Sequence, residues 1–162
     1  MSGAQLRAIL ILPFNVLVTI PALLLWRGQG WQLASPRSLA FWLALACLAL
    51  GLGLMALTIR LFAAVGEGTL APWDPTRKLV VRGIYRHVRN PMITGVLLNL
   101  AAEALLFRSP SIGAWLAAFA VGNAIYIPLV EERGLEKRFG DDYRRYRANV
   151  PRWIPRLRAY TP

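Results

Sequence analysis

Tyr85, Arg86, His87, Arg89 and Asn90 stand directly before Pro91 in the stretch LVVRGIYRHVRNPMITG, and a second polar cluster, Glu131 and Glu132, follows a long apolar run. Guanidinium groups hold a carboxylate through paired, charge-assisted hydrogen bonds, carboxylates take an ammonium, and aromatic faces attract a cation. Together the clusters suit a small ligand bearing a carboxylate, an ammonium and one further positive centre. The first cluster equally suits anchoring at a membrane border, by snorkelling arginines and an interfacial tyrosine. Anchoring gives no account of the paired glutamates. The methionine portion of S-adenosylmethionine has the required groups, although residue types alone do not single it out.

The surrounding sequence sets where such clusters can sit. Of 162 residues 56% are hydrophobic, the mean hydropathy is +0.44 and the formal net charge is +11, a combination rare in soluble domains. The apolar residues gather near 5–26, 38–65, 91–107 and 112–130, each close to the ~20 residues that cross a bilayer as a helix, the third being short. We read an all-α integral membrane protein: one domain over residues 1–162, with four transmembrane helices, a loop at 66–90 and an amphipathic interfacial tail at 131–162. The first block is not read as a cleaved signal, because it is long, contains Pro13 and Pro21, and has Pro36 after its small-residue site at Ala34 and Ser35. The single cysteine, Cys47, excludes an internal disulfide and reads as a small buried apolar residue.

With four spans, Arg7, the five basic residues of 66–90 and the nine from Arg133 to Arg158 share one side, against Arg27, Arg37 and Arg108 on the other. The positive-inside rule puts both termini and the 66–90 loop in the cytoplasm, and a bacterial inner membrane is the expected setting. Charge that flanks spans, with no nucleic-acid-binding pattern, points to anionic lipid headgroups rather than nucleic acid. A monomer is the default and no metal site is assigned.

Within the spans, Gly51 and Gly53 suit close helix approach, and Asn99, Asn123 and Tyr126 suit interhelical hydrogen bonds. Glu103, twelve residues after Pro91, stands about 18 Å along the third helix, toward the outer face and near Arg108. The loop begins GEGTLAPWDPTRKLV, whose glycines and prolines specify turns. In the tail, Leu135, Phe139, Tyr143, Tyr146 and Val150 recur at spacings that place them on one helical face, expected to pack on the membrane helices. Gly140 is placed to end one helix and Asp141 to cap the next.

GTLAPWDPTRKLVVRGIYRHVRNPMITG followed by EERGLEKRFGDDYRRYRANVPRWIP resembles the isoprenylcysteine carboxyl methyltransferase and phospholipid methyltransferase group of membrane enzymes. The resemblance runs from Gly68 to about Pro155, with two motifs in the family's order and spacing. It implies S-adenosylmethionine bound at the cytoplasmic ends of the helices, with no soluble Rossmann-like domain. Carried onto this chain, it assigns Tyr85, Arg89, Asn90, Pro91, Gly95, Glu131, Glu132 and Tyr143 to the cofactor, with Glu132 and Arg89 as catalytic groups; Arg152 also matches the motif. His87, which the motif does not specify, is added to the cofactor set because it stands three residues before Asn90 and can share its face. Asn90 stands where the best-studied members have histidine, and its amide can still donate to a carboxylate. Ile93 replaces the usual tyrosine and brings no hydroxyl. A thiolate or carboxylate acceptor needs no base, whereas an amine or thiol must lose a proton, to Glu132 or His87. The implied acceptors are a prenylated cysteine, a phospholipid amine or a small thiol. The rival readings are an NADPH-dependent sterol reductase-like enzyme, whose family is similar around this motif, and a non-catalytic membrane relative.

Overall fold

The structure is a computed structural model and describes residues 13–28, 31–65 and 78–161. Residues 5–12 of the first apolar block, Arg7 and the turn-rich stretch 66–77 lie outside the described residues. Among those described, every regular element is helical and there is no strand, in line with the all-α reading. The main helices are α1 (Asn15–Arg27), α2 (Leu39–Val65), α3 (Pro91–Leu106), α4 (Pro110–Tyr126) and α5 (Glu132–Asn149).

Among the described residues two helices are long and apolar enough to cross a membrane: Leu39–Phe62, with 24 residues, and the continuous run Pro110–Asn149, with 40. Only 17% and 11% of their apolar windows are buried inside the protein. Leu43, Leu50 and Leu57 on α2 and Val121 and Ile125 on α4 face outward, which suits lipid and would be costly in water. The 16 residues of α3 reach only about 24 Å at 1.5 Å each, against a hydrocarbon core of ~30 Å. Length thus supports two of the four expected spans.

The fourth apolar block and the tail are not separate elements. A π-helical turn, Ile127–Glu131, carries the helix from α4 into α5, with the Glu132 N–H reaching back to Ile127 O. Pro128 has no N–H for the ordinary ladder, and one wide turn absorbs the defect without ending the helix. The α1 helix repeats the device. Its π turn Asn15–Thr19 closes with Ile20 N–H on Asn15 O, and Pro21 has no N–H to offer Val16 O. The indole Nε1–H of Trp115 in α4 donates to that carbonyl at 3.2 Å and fastens α1 to the bundle.

The inner core is Met55, Val96 and Leu100, with Val16, Leu17, Met92, Trp115, Leu116 and Phe119 packed around it, so α1 to α4 all contribute. The closest approach is between α2 and α3 at Gly51 and Gly95. A Cβ on Gly51 would stand 2.8 Å from Gly95 O, and one on Gly95 would stand 2.9 Å from Gly51 O. Gly53, expected to share this role, meets nothing within 4 Å. Asn99 Nδ2 donates across the crossing to Met55 Sδ at 3.2 Å and along its own helix to Gly95 O at 3.0 Å. Asn123 stays within its own helix, donating to Phe119 O. Glu103 keeps a buried Oε2 with no hydrogen-bond partner.

The α5 helix kinks at Gly140 (φ 53, ψ −126), as the expected break requires, and the Asp141 carboxylate is engaged by Arg144. Its apolar face does not rest on the membrane helices as expected. Tyr143, Tyr146 and Val150 form a second core with Leu79, Val81, Leu135, Phe139 and Tyr160, because the chain before α3 and the chain after α5 close over them.

Candidate functional site

The site is built where α3 begins. A 3-10 turn, Gly83–Arg86, delivers the polar cluster, and its entry requires the left-handed backbone of Gly83 (φ 52) above the Leu61 side chain. Pro91 is fully buried as the first residue of α3. Asn90 is the N-cap, with a carbonyl that accepts from the N–H and hydroxyl of Thr94, both at 3.1 Å. Its Nδ2 is buried without a partner. A buried amide donor with no acceptor is unfavourable by about 1–3 kcal/mol, so this group is suited to receive one from a ligand.

Arg89 and Glu132 meet, as the shared depth of the two clusters predicts. Arg89 Nη1 stands 2.6 Å from Glu132 Oε1 and 3.3 Å from the Tyr143 hydroxyl, while Arg89 Nε donates to Val150 O at 2.8 Å. Arg152 completes the clamp, donating to Glu132 Oε1 at 2.8 Å and Oε2 at 3.1 Å. Glu132 is only 4% exposed. Burial alone would raise its carboxyl, but the hydrogen bonds and charges of Arg152 and Arg89 outweigh it and hold the group below the usual carboxylate range. Such a carboxylate is a weak base, which removes the motive for using Glu132 to take a proton from an acceptor. Glu131, one residue earlier, is exposed and makes no side-chain hydrogen bond or ion pair among the described residues.

The remaining assigned residues position the site. Tyr85 is buried, its ring edge-on to Phe62 at 5.4 Å and its side chain hydrogen-bonded to Thr58. Burial, more than the neighbouring Tyr146, pushes its phenol well above the ordinary value, so Tyr85 stays neutral. His87 Nδ1 faces Arg156 O at 2.8 Å and must carry its proton to donate there. Tyr143 is buried, with its hydroxyl on Arg89. Gly95 lies in the α2–α3 crossing, away from the polar groups, where the lack of a side chain serves packing.

What the spacing did not show is a strap. Residues 150–161 return across the cluster, with Arg89 N–H on Pro151 O, Arg156 N–H on His87 O and Tyr160 N–H on Arg86 O. Arg86 adds side-chain bonds to Tyr160 O and to the Thr161 hydroxyl, and the Tyr146 hydroxyl donates to Tyr85 O at 2.7 Å. Arg152 belonged to the matched motif, which was its only signal.

The family model for phospholipid methyltransferases matches residues 39–142, which takes in α2 to α4, the polar cluster, both glutamates and most of α5. The chain belongs to the phospholipid methyltransferase family. A relative, methanethiol S-methyltransferase 2 of Bradyrhizobium diazoefficiens, is 38% identical over 79 residues. That stretch is 47% of this chain and 28% of the relative, so the chain spans little more than a quarter of that protein's length. No solved structure matches. Family membership and the relative's name both indicate a methyltransferase.

Proposed function

We propose that this chain is an integral membrane methyltransferase that uses S-adenosylmethionine, with its site at the cytoplasmic border and its basic flanks turned to the cytosol. The observation that carries the reading is the Arg89–Glu132–Arg152 clamp, which draws the motif before α3, the paired glutamates and the strap together beside the unpaired Asn90 amide. The residues fit the cofactor: the Asn90 Nδ2 donor suits its carboxylate, and the unpaired carboxylate of Glu131 suits its ammonium. When bound, the cofactor supplies a methyl group on a sulfonium, an electrophile that a soft nucleophile takes by in-line displacement.

The work of the chain's own residues is then alignment and exclusion of water. Arg89 and Glu132 are reassigned from direct catalysis to positioning, since each is already engaged by the other. The strap covers the cluster, and the exposed apolar helices admit an apolar acceptor sideways from the bilayer. Among acceptors a thiol is favoured by the relative's name, arriving as its thiolate after giving its proton to solvent, with a phospholipid amine, which likewise must arrive unprotonated, or an isoprenylcysteine-like carboxylate as the other classes. All four apolar blocks are taken as spans of one domain in a bacterial inner membrane.

Calorimetric titration of the purified protein with S-adenosylmethionine tests this. Binding is expected, weakened about tenfold or more by Asn90→Ala or Glu131→Gln, the scale of a lost hydrogen bond to a charged group. No binding to the intact protein overturns the reading. Binding with transfer of labelled methyl to a thiol, but not to amine lipids, fixes the acceptor.

A further inference from the structure

The strap carries two large apolar side chains that no described residue covers: Ile154 is 79% exposed and Leu157 is 99% exposed. They flank Pro155 and Arg156, and the Arg156 N–H is tied to His87 O, a few residues before α3 starts at Pro91. The strap is thereby held at the level where the helices leave the apolar layer. The apolar face of α5 is not available for the same surface, since Tyr143, Tyr146 and Val150 are spent on the second core.

The charge around these residues is one-sided. From Arg133 to Arg158 there are nine Lys and Arg but three acids. All three acids are matched already: Glu136 by Arg144 and Arg147, Asp141 by Arg144, and Asp142 by Arg145 at 3.9 Å. Arg133, Lys137 and Arg158 are exposed and make no ion pair among the described residues.

We propose that Ile154 and Leu157 dip into the boundary between headgroups and acyl chains, and that Arg133, Lys137 and Arg158 take the anionic headgroups of phospholipids beside them. Apolar insertion and basic charge reinforce each other at such a surface, and the charge contribution weakens as salt screens it. The strap supplies the apolar insertion, while the basic groups come from the start of α5 (Arg133 and Lys137) and from the strap (Arg158). The inference rests on the membrane placement of the helices and not on methyl transfer.

The test is a polarity-sensitive fluorophore on Leu157→Cys in a Cys47→Ala background, with the full chain reconstituted in phosphatidylcholine or in phosphatidylcholine mixed with phosphatidylglycerol, without cofactor. Expected are a blue shift and quenching by lipid-borne spin labels in the mixed bilayer, both reduced by high salt and by the combined Arg133→Gln, Lys137→Gln and Arg158→Gln changes. A probe that stays in water in both bilayers overturns the proposal. So does equal, salt-insensitive insertion in both, which would show apolar contact without recognition of anionic lipid. A probe on exposed Ala159 that reports the same strap hydrogen-bonded region in all variants keeps misfolding from imitating either result.

Discussion

The α2–α3 crossing and the Arg89–Glu132–Arg152 clamp join parts of the same molecule by opposite means. At the crossing, two backbones touch because Gly51 and Gly95 carry no side chains, and what holds them is dispersion plus one amide hydrogen bond from Asn99. At the clamp, long side chains bring three separate segments together through charge, and each guanidinium also spends donors elsewhere or doubles up on the carboxylate. Under the proposed membrane placement, lipid surrounds the crossing, where helix contact brings no hydrophobic gain and shape decides, and the clamp lies where water begins, where a buried charge must be fully matched.

The sharpest way to break the clamp side is Glu132→Ala, which leaves two guanidinium groups facing each other. A loss of about 3 kcal/mol is expected, at the low end for a broken buried pair because the Arg152 side chain is 29% exposed. Detergent-solubilised thermal unfolding measures it, and proteolysis within 150–161 should accelerate as the strap loosens. On the crossing side, Gly95→Ala puts a Cβ 2.9 Å from Gly51 O and should destabilise by about 1–3 kcal/mol, whereas Gly53→Ala, with open space, should change stability by less than about 1 kcal/mol. If both glycines respond alike, contact geometry is not what distinguishes them.

Acid sharpens the contrast further. Because the Glu132 carboxyl is held below its reference value of 4.5, the clamp's contribution is fully present above that pH and is lost as pH falls through the lower folded value. Strap protection from protease should therefore be level near neutrality and decline in acid below about 4.5, and Glu132→Gln should remove that Glu132-dependent decline. The smallest effect belongs to Arg145→Ala. Its partner Asp142 is 3.9 Å away and both are largely exposed, so no measurable change in melting temperature is expected.

Much of this arrangement could be read from residue order. Pro91 announces the start of α3, Gly140 announces the break in α5, and two polar clusters at the ends of antiparallel helices announce that Arg89 and Glu132 meet. Other features were hidden for physical reasons. Pro128 looks like a terminator because its missing N–H breaks an α-helical ladder, and only the wider π turn shows how the helix survives it. Arg152 pairs with a carboxylate twenty residues back through a strap whose course is set by backbone hydrogen bonds, which leave no pattern in residue types. Gly95 matched a motif, but a match does not say which face of the helix the residue occupies, and its face turned out to be the one against Gly51.

The bond from Trp115 to Val16 O also orders events in time. The carbonyl stripped of its donor by Pro21 leaves the ribosome 99 residues ahead of the indole that will satisfy it. Until α4 arrives, the first helix holds a raw acceptor at its wide turn, and under the proposed membrane placement no water can substitute. Assembly is thus incomplete until the last apolar helix is in place, and a chain truncated before Trp115 would keep an open defect that quality control can recognise.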